Sequence, residues 1–424
     1  MKIAIIGTGI AGNVAAYHLN KRHDITVFEK NDYVGGHTHT HDITINDEQF
    51  SVDSGFIVFN YKTYPHFTSL LEELNVEVQP SKMSFSVKCE KTGLEYNGTT
   101  LNSLFSQRSN LFKPSFYRMI KDIIRFNKES VEELNAGNAD VALGEFLTKR
   151  NYSKKFIEQY LIPMGAAVWS ADPEQMMDFP AGFFIRFFHN HGMLSVNERP
   201  EWYVIKGGSK EYVKKLTASF KDKINTESTV NSICRSSGGV QLTLKNGDKQ
   251  YFDEVFIATH SDQALAMLED CTIDEREVLE AIPYQENEAI FHTDKSILPE
   301  RELAWAAWNY HILNKKQKKV ALTYNMNILQ SLDSKDEFCV TLNNEEAINP
   351  EKVLKKIKYS HPIFTPDGID AQKRQVDING VNHTYFCGAY WRYGFHEDGV
   401  WSALQALNHF EEHSDEQLHI RRAS

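Results

Sequence analysis

An α/β fold, with a doubly wound parallel sheet and a mixed α+β unit interleaved with it, is what this chain of 424 residues predicts. Three observations carry the prediction. A strand, a glycine turn, a helix and a second strand succeed one another within the first 30 residues. A strand, a glycine turn and a helix also close the chain, and mainly helical, then mixed, material lies between. Pieces of one sheet separated in this way make discontinuous domains the expectation.

Lys2–Ile6 is a short β-branched apolar run, after which Ala11, Val14, Ala15 and Leu19 repeat at helical spacing. Residues 25–28 restore strand character and end at Glu29. Residues 40–52 alternate around Asn46-Asp47, a hairpin pattern. From about residue 62 to 200 the period is mainly helical, clearest at 64–74, 116–134, 143–148 and 154–161. Short strands return at 240–244 and 254–258, separated by the turn pair Asn246-Gly247. A mixed stretch covers about 275–375, and a strand at 384–387, a glycine turn and a helix at about 400–412 follow it.

Composition narrows the function classes. Apolar residues make up 41% and charged residues 24%, which fits an ordinary globule and excludes a disordered or fibrous chain. A net charge of -11 argues against neutralising phosphate backbones, so no nucleic-acid partner is expected. The 26 Phe, 18 Tyr and 6 Trp suit either a large apolar pocket or simply a big core. Five scattered cysteines without a C-x-x-C pair fit reduced thiols in a cytoplasmic protein and indicate neither a disulfide framework nor a zinc site. Gly7, Gly9 and Gly12 break the N-terminal apolar run, which reads as a strand rather than a signal peptide. Outside the N-terminal run, uncharged stretches such as 159–171 are too short to cross a bilayer.

The chemistry starts at Gly7-Thr8-Gly9-Ile10-Ala11-Gly12, which matches G-x-G-x-x-G between a strand and a helix. The first glycine permits the tight turn, the second lets a pyrophosphate approach the backbone, and the third lets helix pack on strand. Glu29, followed by Lys30, stands 17 residues after Gly12 at the end of the next strand. A carboxylate there can accept both hydroxyls of a ribose and repels a 2′-phosphate. Dinucleotide binding is therefore expected, and NADP is disfavoured.

Further motifs bear on which dinucleotide. Val34-Gly35-Gly36-His37-Thr38 and Asp53-Ser54-Gly55-Phe56, with Ile57 after it, resemble the flavin-dependent amine oxidase and phytoene desaturase superfamily. There a glycine pair after the ribose-binding acid wraps the pyrophosphate of FAD. That superfamily usually has arginine after the pair; this chain has His37, a weaker and titratable donor. Trp202-Tyr203-Val204-Ile205-Lys206-Gly207-Gly208-Ser209 is similar to its central glycine-pair motif. Residues 252–260, ending Ala258-Thr259-His260, resemble the strand beside the pyrophosphate, and Val230 aligns with the residue whose backbone contacts adenine. Near the C-terminus Cys387-Gly388-Ala389-Tyr390 and then Asp398-Gly399-Val400 lead into a helix. In such flavoproteins that helix aims its N-terminal end at N1 and O2 of the flavin, where charge accumulates on reduction.

Over nearly the whole chain the sequence is similar to a bacterial group of predicted FAD/NAD-binding oxidoreductases that resemble the amino-terminal part of plant cyclopropane fatty acid synthases. Met83-Ser84-Phe85, residues 163–170, Asn190-His191-Gly192 and Trp308-Asn309-Tyr310 carry this likeness. It implies a glutathione-reductase-like flavoprotein. A Rossmann-like FAD-binding domain would be assembled from 1–80, 200–270 and 376–424, and a substrate domain from 81–199 and 271–375. FAD would be noncovalent, because the pattern around the attachment cysteine of monoamine oxidases is absent at Cys387, and its ring would lie near Gly55, Tyr390 and Gly399.

Several candidates have a plainer structural reading. His37, His39 and His41 alternate and would share a strand face, but without a carboxylate or cysteine at fitting spacing no metal is expected. His191 follows an aromatic segment, 183–188, that could line an acyl-binding cavity, and its imidazole could assist proton transfer; core packing and a helix cap at Asn190 explain the segment as well. Trp308, Asn309, Tyr310 and Tyr390 are candidates for the wall facing the flavin, with ordinary packing as the other reading. Basic residues from Arg108 to Lys128 interleave with apolar ones, as on a helix packed on its own domain or on one resting at the inner face of an anionic membrane.

These readings lead to an FAD-dependent oxidoreductase that takes hydride from a C–H bond of an apolar substrate, an unsaturated or methyl-modified fatty acyl chain, in a desaturation. A flavin amine oxidase is the alternative substrate class. A redox-inactive FAD-binding partner of a lipid-modifying enzyme, or a redox-neutral isomerase, would be a different kind of protein. No residue stands out as a general base.

Overall fold

The computed structural model describes residues 1–195, 199–315 and 318–423, with side chains placed as far as His413. β1 (Lys2–Ile6), α1 (Ile10–Leu19) and β2 (Asp24–Phe28) form the opening unit. β1 is the centre of a five-stranded parallel sheet, with β2 and Ile224–Asn225 on one side and Glu254–Ile257 and Thr384–Phe386 on the other. Strands from the beginning, middle and end of the chain are thus hydrogen-bonded together. Both faces are covered, so these strands are apolar throughout rather than alternating. Ile3 and Ile5 pack with α1 and the C-terminal helix on one side; Ala4 and Ile6 face the three-stranded antiparallel sheet Val230–Ser236, Gly239–Leu244, Lys249–Phe252 on the other.

The second unit is a seven-stranded sheet whose order runs Val353–Pro362, Tyr284–His292, Cys339–Leu342, Leu322–Asn325, Trp308–Ile312, Phe85–Cys89, Leu94–Asn97. Only Trp308–Ile312 and Phe85–Cys89 pair in parallel, as a crossover of more than 200 residues between them allows. The helices Pro114–Asn135, Ile162–Trp169 and Ala181–Asn190 bury Phe116, Phe126, Phe184 and Phe188 in the same core as this sheet. Much of the aromatic excess is therefore packing.

The structure departs from the sequence reading in four places. Val78–Ser81, Phe85–Cys89 and Leu94–Asn97 are strands inside a span that reads as mainly helical, because each is short and two of the three pair with partners far along the chain. Asn246-Gly247 closes a hairpin between Gly239–Leu244 and Lys249–Phe252, whereas Glu254–Ile257 crosses into the parallel sheet. The final helix is His396–Ala423, longer at both ends than 400–412. Lastly, Val278, Leu279, Ala371 and Ile378 belong to the core of the parallel sheet, so parts of 271–375 pack with the nucleotide unit. Arg235 explains one of them: its guanidinium is buried and bonds Glu275 at 2.5 Å, tying the helix Ile273–Glu280 to the three-stranded sheet. The hairpin at 40–52 forms as its turn pair requires, with Asn46 and Asp47 both at positive φ, 53° and 63°. Among the described residues no helix is long and apolar enough to cross a membrane.

Candidate functional site

One cavity of about 1520 Å³ starts at the C-terminal ends of β1, β2 and Glu254–Ile257 and continues between the seven-stranded sheet and the helices of the second unit. That is larger than the ~300–1,000 Å³ of an ordinary small-molecule site and leaves room for two occupants end to end.

At its first end the wall is backbone. Gly7 has φ +101°, and a Cβ there would lie 2.7 Å from the Ala258 carbonyl oxygen. A Cβ on Gly12 would lie 2.0 Å from the Gly7 oxygen, so α1 can seat against the turn only with glycine. Gly9 has nothing within 4 Å and faces open space. The second glycine turn comes to meet it: a Cβ on Gly36 would be 3.0 Å from the Gly9 Cα. Glu29 is buried at the rim, where it accepts from Thr8 N at 3.0 Å, Thr8 Oγ1 at 2.5 Å and the Asn31 amides at 2.9 Å.

Midway the polar groups are imidazoles. His37 and His260 both line the cavity, their ring centroids 6.2 Å apart, and His361 lies 5.4 Å from His37. His37 Nε2 and His260 Nδ1 are buried without a hydrogen-bond partner. Burial holds His37 down at about 4 and His260 and His361 at about 3, so all three are neutral at pH 7. Two buried, unpartnered ring nitrogens beside two side-chain-free glycine turns fit a dinucleotide pyrophosphate, whose charge would favour a proton on His37 Nε2 and whose oxygens would accept from it. FAD therefore fits: Glu29 would hold the adenosine ribose, the glycine turns and histidines the pyrophosphate, and Gly55 to Ile57 with Ala389 the approach to the ring.

Every residue expected at the cofactor lines this cavity except Gly12, Thr38, Asp398, Gly399 and Val400. Gly12 lies under the first turn. Thr38 Oγ1 turns instead to the Tyr212 hydroxyl at 2.6 Å and His396 Nε2 at 3.2 Å. Asp398 accepts from Phe395 N at 2.9 Å within the first turn of its own helix, and burial pushes its carboxyl up to about 7. Gly399 backs onto Ile10, and what this end of the chain presents to the cavity is Gly394 to His396. The His396 ring stacks on Phe56 at 3.6 Å, a contact no sequence pattern announced. Tyr284, which stacks on His260 at 4.2 Å, and His361 were equally unmarked, since both come from strands of the second unit. Cys387 is buried in the apolar core and its thiol is pushed up to about 12, which keeps it protonated.

The other end is built from side chains. Pro163 has no N–H for the Gln159 carbonyl, so the helix opens into a π turn at Ile157–Leu161. Tyr96 donates to that carbonyl at 2.6 Å, and Tyr160 faces the cavity. His191 caps Ala181–Asn190: its Nδ1 donates to the Phe187 carbonyl at 2.9 Å, its ring stacks on Phe187 at 3.9 Å, and it lines the cavity. Trp308 also lines it; Asn309 points to the opposite face, where its Oδ1 accepts from Ser86 at 2.8 Å. Tyr310 does not reach the cavity: it shares a face with Trp308 but lies buried in the aromatic core. Tyr390 lines the cavity near Tyr284, buried and with an unpartnered hydroxyl. His39 and His41 stay apart from the site, His39 stacked on Tyr33 and His41 bonded to Ser54. No cluster of three or more His, Cys, Asp or Glu among the described residues is placed to hold a metal ion.

Comparison with known proteins agrees with this geometry. The family model for flavin containing amine oxidoreductases matches residues 10–317. A 1-hydroxycarotenoid 3,4-desaturase of Flavobacterium sp. (strain P99-3) is 38% identical over 96 residues, which span 22% of this chain and only 18% of that protein. Cyclohexylamine oxidase from Brevibacterium oxydans IH-35A has the same fold, with a TM-score of 0.69 at 15% identity over 97% of this chain and 99% of its own. The fatty acid isomerase of P. acnes that produces CLA matches with a TM-score of 0.67 at 14% identity, covering 96% and 98%.

Proposed function

We propose that this chain, which belongs to the flavin containing amine oxidoreductase family and is an FAD-dependent oxidoreductase, removes hydride from a C–H bond of an unsaturated or methyl-modified fatty acyl chain and so desaturates it. The observation that carries this reading is the far wall of the cavity, where Phe85, Met164, Trp169, Phe187, Trp308 and Ile328 converge. Among the described lining residues the only carboxylates are Glu29, at the nucleotide end, and Glu201, which is exposed. A protonated amine would be desolvated there without a counter-charge, whereas an acyl chain sheds only unfavourable hydration.

FAD supplies the hydride acceptor. The chain's own residues do the rest. Trp308 and Phe187 flank the acyl chain and exclude water, which fixes the C–H bond that reacts. His191 spends its Nδ1 proton on the Phe187 carbonyl, so its Nε2 carries a lone pair, and burial holds the imidazole down at about 4. At neutral pH it is uncharged and able to accept the proton that leaves with the second C–H bond.

Anaerobic mixing tests the reading. A phospholipid bearing an unsaturated chain is expected to bleach the flavin, and the product to be lighter by about two daltons. Bleaching by an amine but never by acyl lipids would overturn it; an unchanged product mass would mean isomerisation. A photoreduced flavin that neither oxygen nor quinones reoxidise would point instead to an FAD-binding partner of a lipid-modifying enzyme.

A further inference from the structure

The helix Pro114–Asn135 and the turns before it expose a face that no other described residue covers. Leu101, Leu111, Phe112, Tyr117 and Ile124 are all exposed, Phe112 at 85% and Leu101 at 78%. Tyr117, Lys121, Ile124 and Lys128 succeed one another at steps of four, three and four and share one side of the helix, opposite the buried Phe116, Met119, Phe126 and Ser130. Arg108 joins the preceding segments to it by donating to Asn102 Oδ1 at 2.7 Å and to the Phe105 carbonyl at 3.0 Å, and the Phe105 ring packs 5.5 Å from Phe116. Single exposed apolar side chains need no explanation; five between 101 and 124 do.

Its charge opposes that of the chain. The chain carries -11, yet every exposed charged residue between 101 and 128 is basic: Arg108, Arg118, Lys121 and Lys128. The one carboxylate in the stretch, Asp122, is buried and accepts from Ser153 N at 2.9 Å. Arg118 and Lys121 form no ion pair among the described residues. The cavity opens beside this surface, for Thr99 and Thr100, both exposed, and Ser103 line it and flank Leu101 on either side in sequence.

We propose that this surface docks the protein on an anionic lipid bilayer, with Leu101, Leu111 and Phe112 among the acyl chains, the basic residues at the headgroups, and the cavity mouth turned to the membrane. A surface at once apolar and basic matches that partner on both counts. The acidic remainder of the protein is repelled by the same membrane, which sets the orientation. The proposal goes beyond the reading of the reaction and stands whichever substrate is oxidised.

Sedimentation of the holoenzyme with vesicles tests it. The protein is expected to pellet with phosphatidylglycerol–phosphatidylcholine vesicles and to stay in solution with phosphatidylcholine alone, its partitioning weakening at least about tenfold at high salt. Phe112→Ser, and separately Arg118→Glu with Lys121→Glu, should each lower partitioning about tenfold or more while flavin absorbance and melting temperature stay as in the wild type. Absence of pelleting with either vesicle would overturn the proposal, as would pelleting that both variants retain. A wild-type oligomer that Phe112→Ser dissolves would overturn it too, by giving the face to a second copy of the chain.

Discussion

The two ends of the cavity are built by opposite means. At the nucleotide end the wall is main chain, brought close because Gly7, Gly12 and Gly36 lack a Cβ that would collide within 3.0 Å. At the far end the wall is side chain, with Phe85, Tyr160, Phe187, Trp308 and Tyr324 arriving from separate strands and helices. Backbone recognition suits a ligand that never varies, and it fails abruptly when a methyl group is added. A wall of side chains can be retuned one residue at a time, which is how one fold comes to hold unlike substrates.

That contrast can be broken or sharpened by substitution. Gly12→Ala should have the largest effect, because its Cβ would sit 2.0 Å from the Gly7 oxygen. A loss of about 3 kcal/mol or more is expected, together with loss of flavin, read from the urea midpoint and visible absorbance. A stable yellow variant would show that the backbone is not what shapes this end. Glu29→Ala comes next: titration of flavin-stripped protein should show FAD bound roughly tenfold to a hundredfold more weakly. Unchanged occupancy after dialysis would remove the ribose contact from the account.

At the far end the expected pattern is reversed. Trp308→Ala should slow flavin reduction by substrate about tenfold while FAD affinity stays within about twofold, and equal losses in both would erase the distinction between the ends. The smallest effect concerns pH. His37, held down at about 4 by burial, would be stabilised in its charged form by a bound pyrophosphate. Binding then takes up protons, so FAD affinity should rise as pH falls from 7 toward 5, by less than about tenfold per unit. His37→Arg, charged throughout, should flatten that slope in a fluorescence titration; a slope identical to wild type would exclude the imidazole.

Legibility followed the same division. The glycine turns and Glu29 could be read because the motif is local and its chemistry dictates its spacing, while Val230 and Ala258 to His260 were marked by family resemblance. Tyr310 shows the limit at the far end: it was a candidate for the wall beside Trp308, but no local pattern shows that the aromatic core buries it short of the cavity. Asp398 shows another. Its position before a glycine and a helix was evident, yet its carboxylate accepts from Phe395 N inside its own turn, while His396, two residues earlier, takes the place against Phe56. The strands Phe85–Cys89 and Leu94–Asn97 were hidden for a related reason, since a short strand is stabilised by its neighbours rather than by its own pattern.

By itself, then, the order of residues determined the glycine turn after β1, the strand that ends at Glu29 and the α/β class, because each follows from the pattern within one strand, turn or helix. Only the tertiary structure decided which rings wall the far end, that three histidines from separate segments gather midway along the cavity, and that helices near residues 273 and 366 pack with the parallel sheet. Those contacts join residues far apart in the chain, and burial, which no local pattern specifies, selects among them.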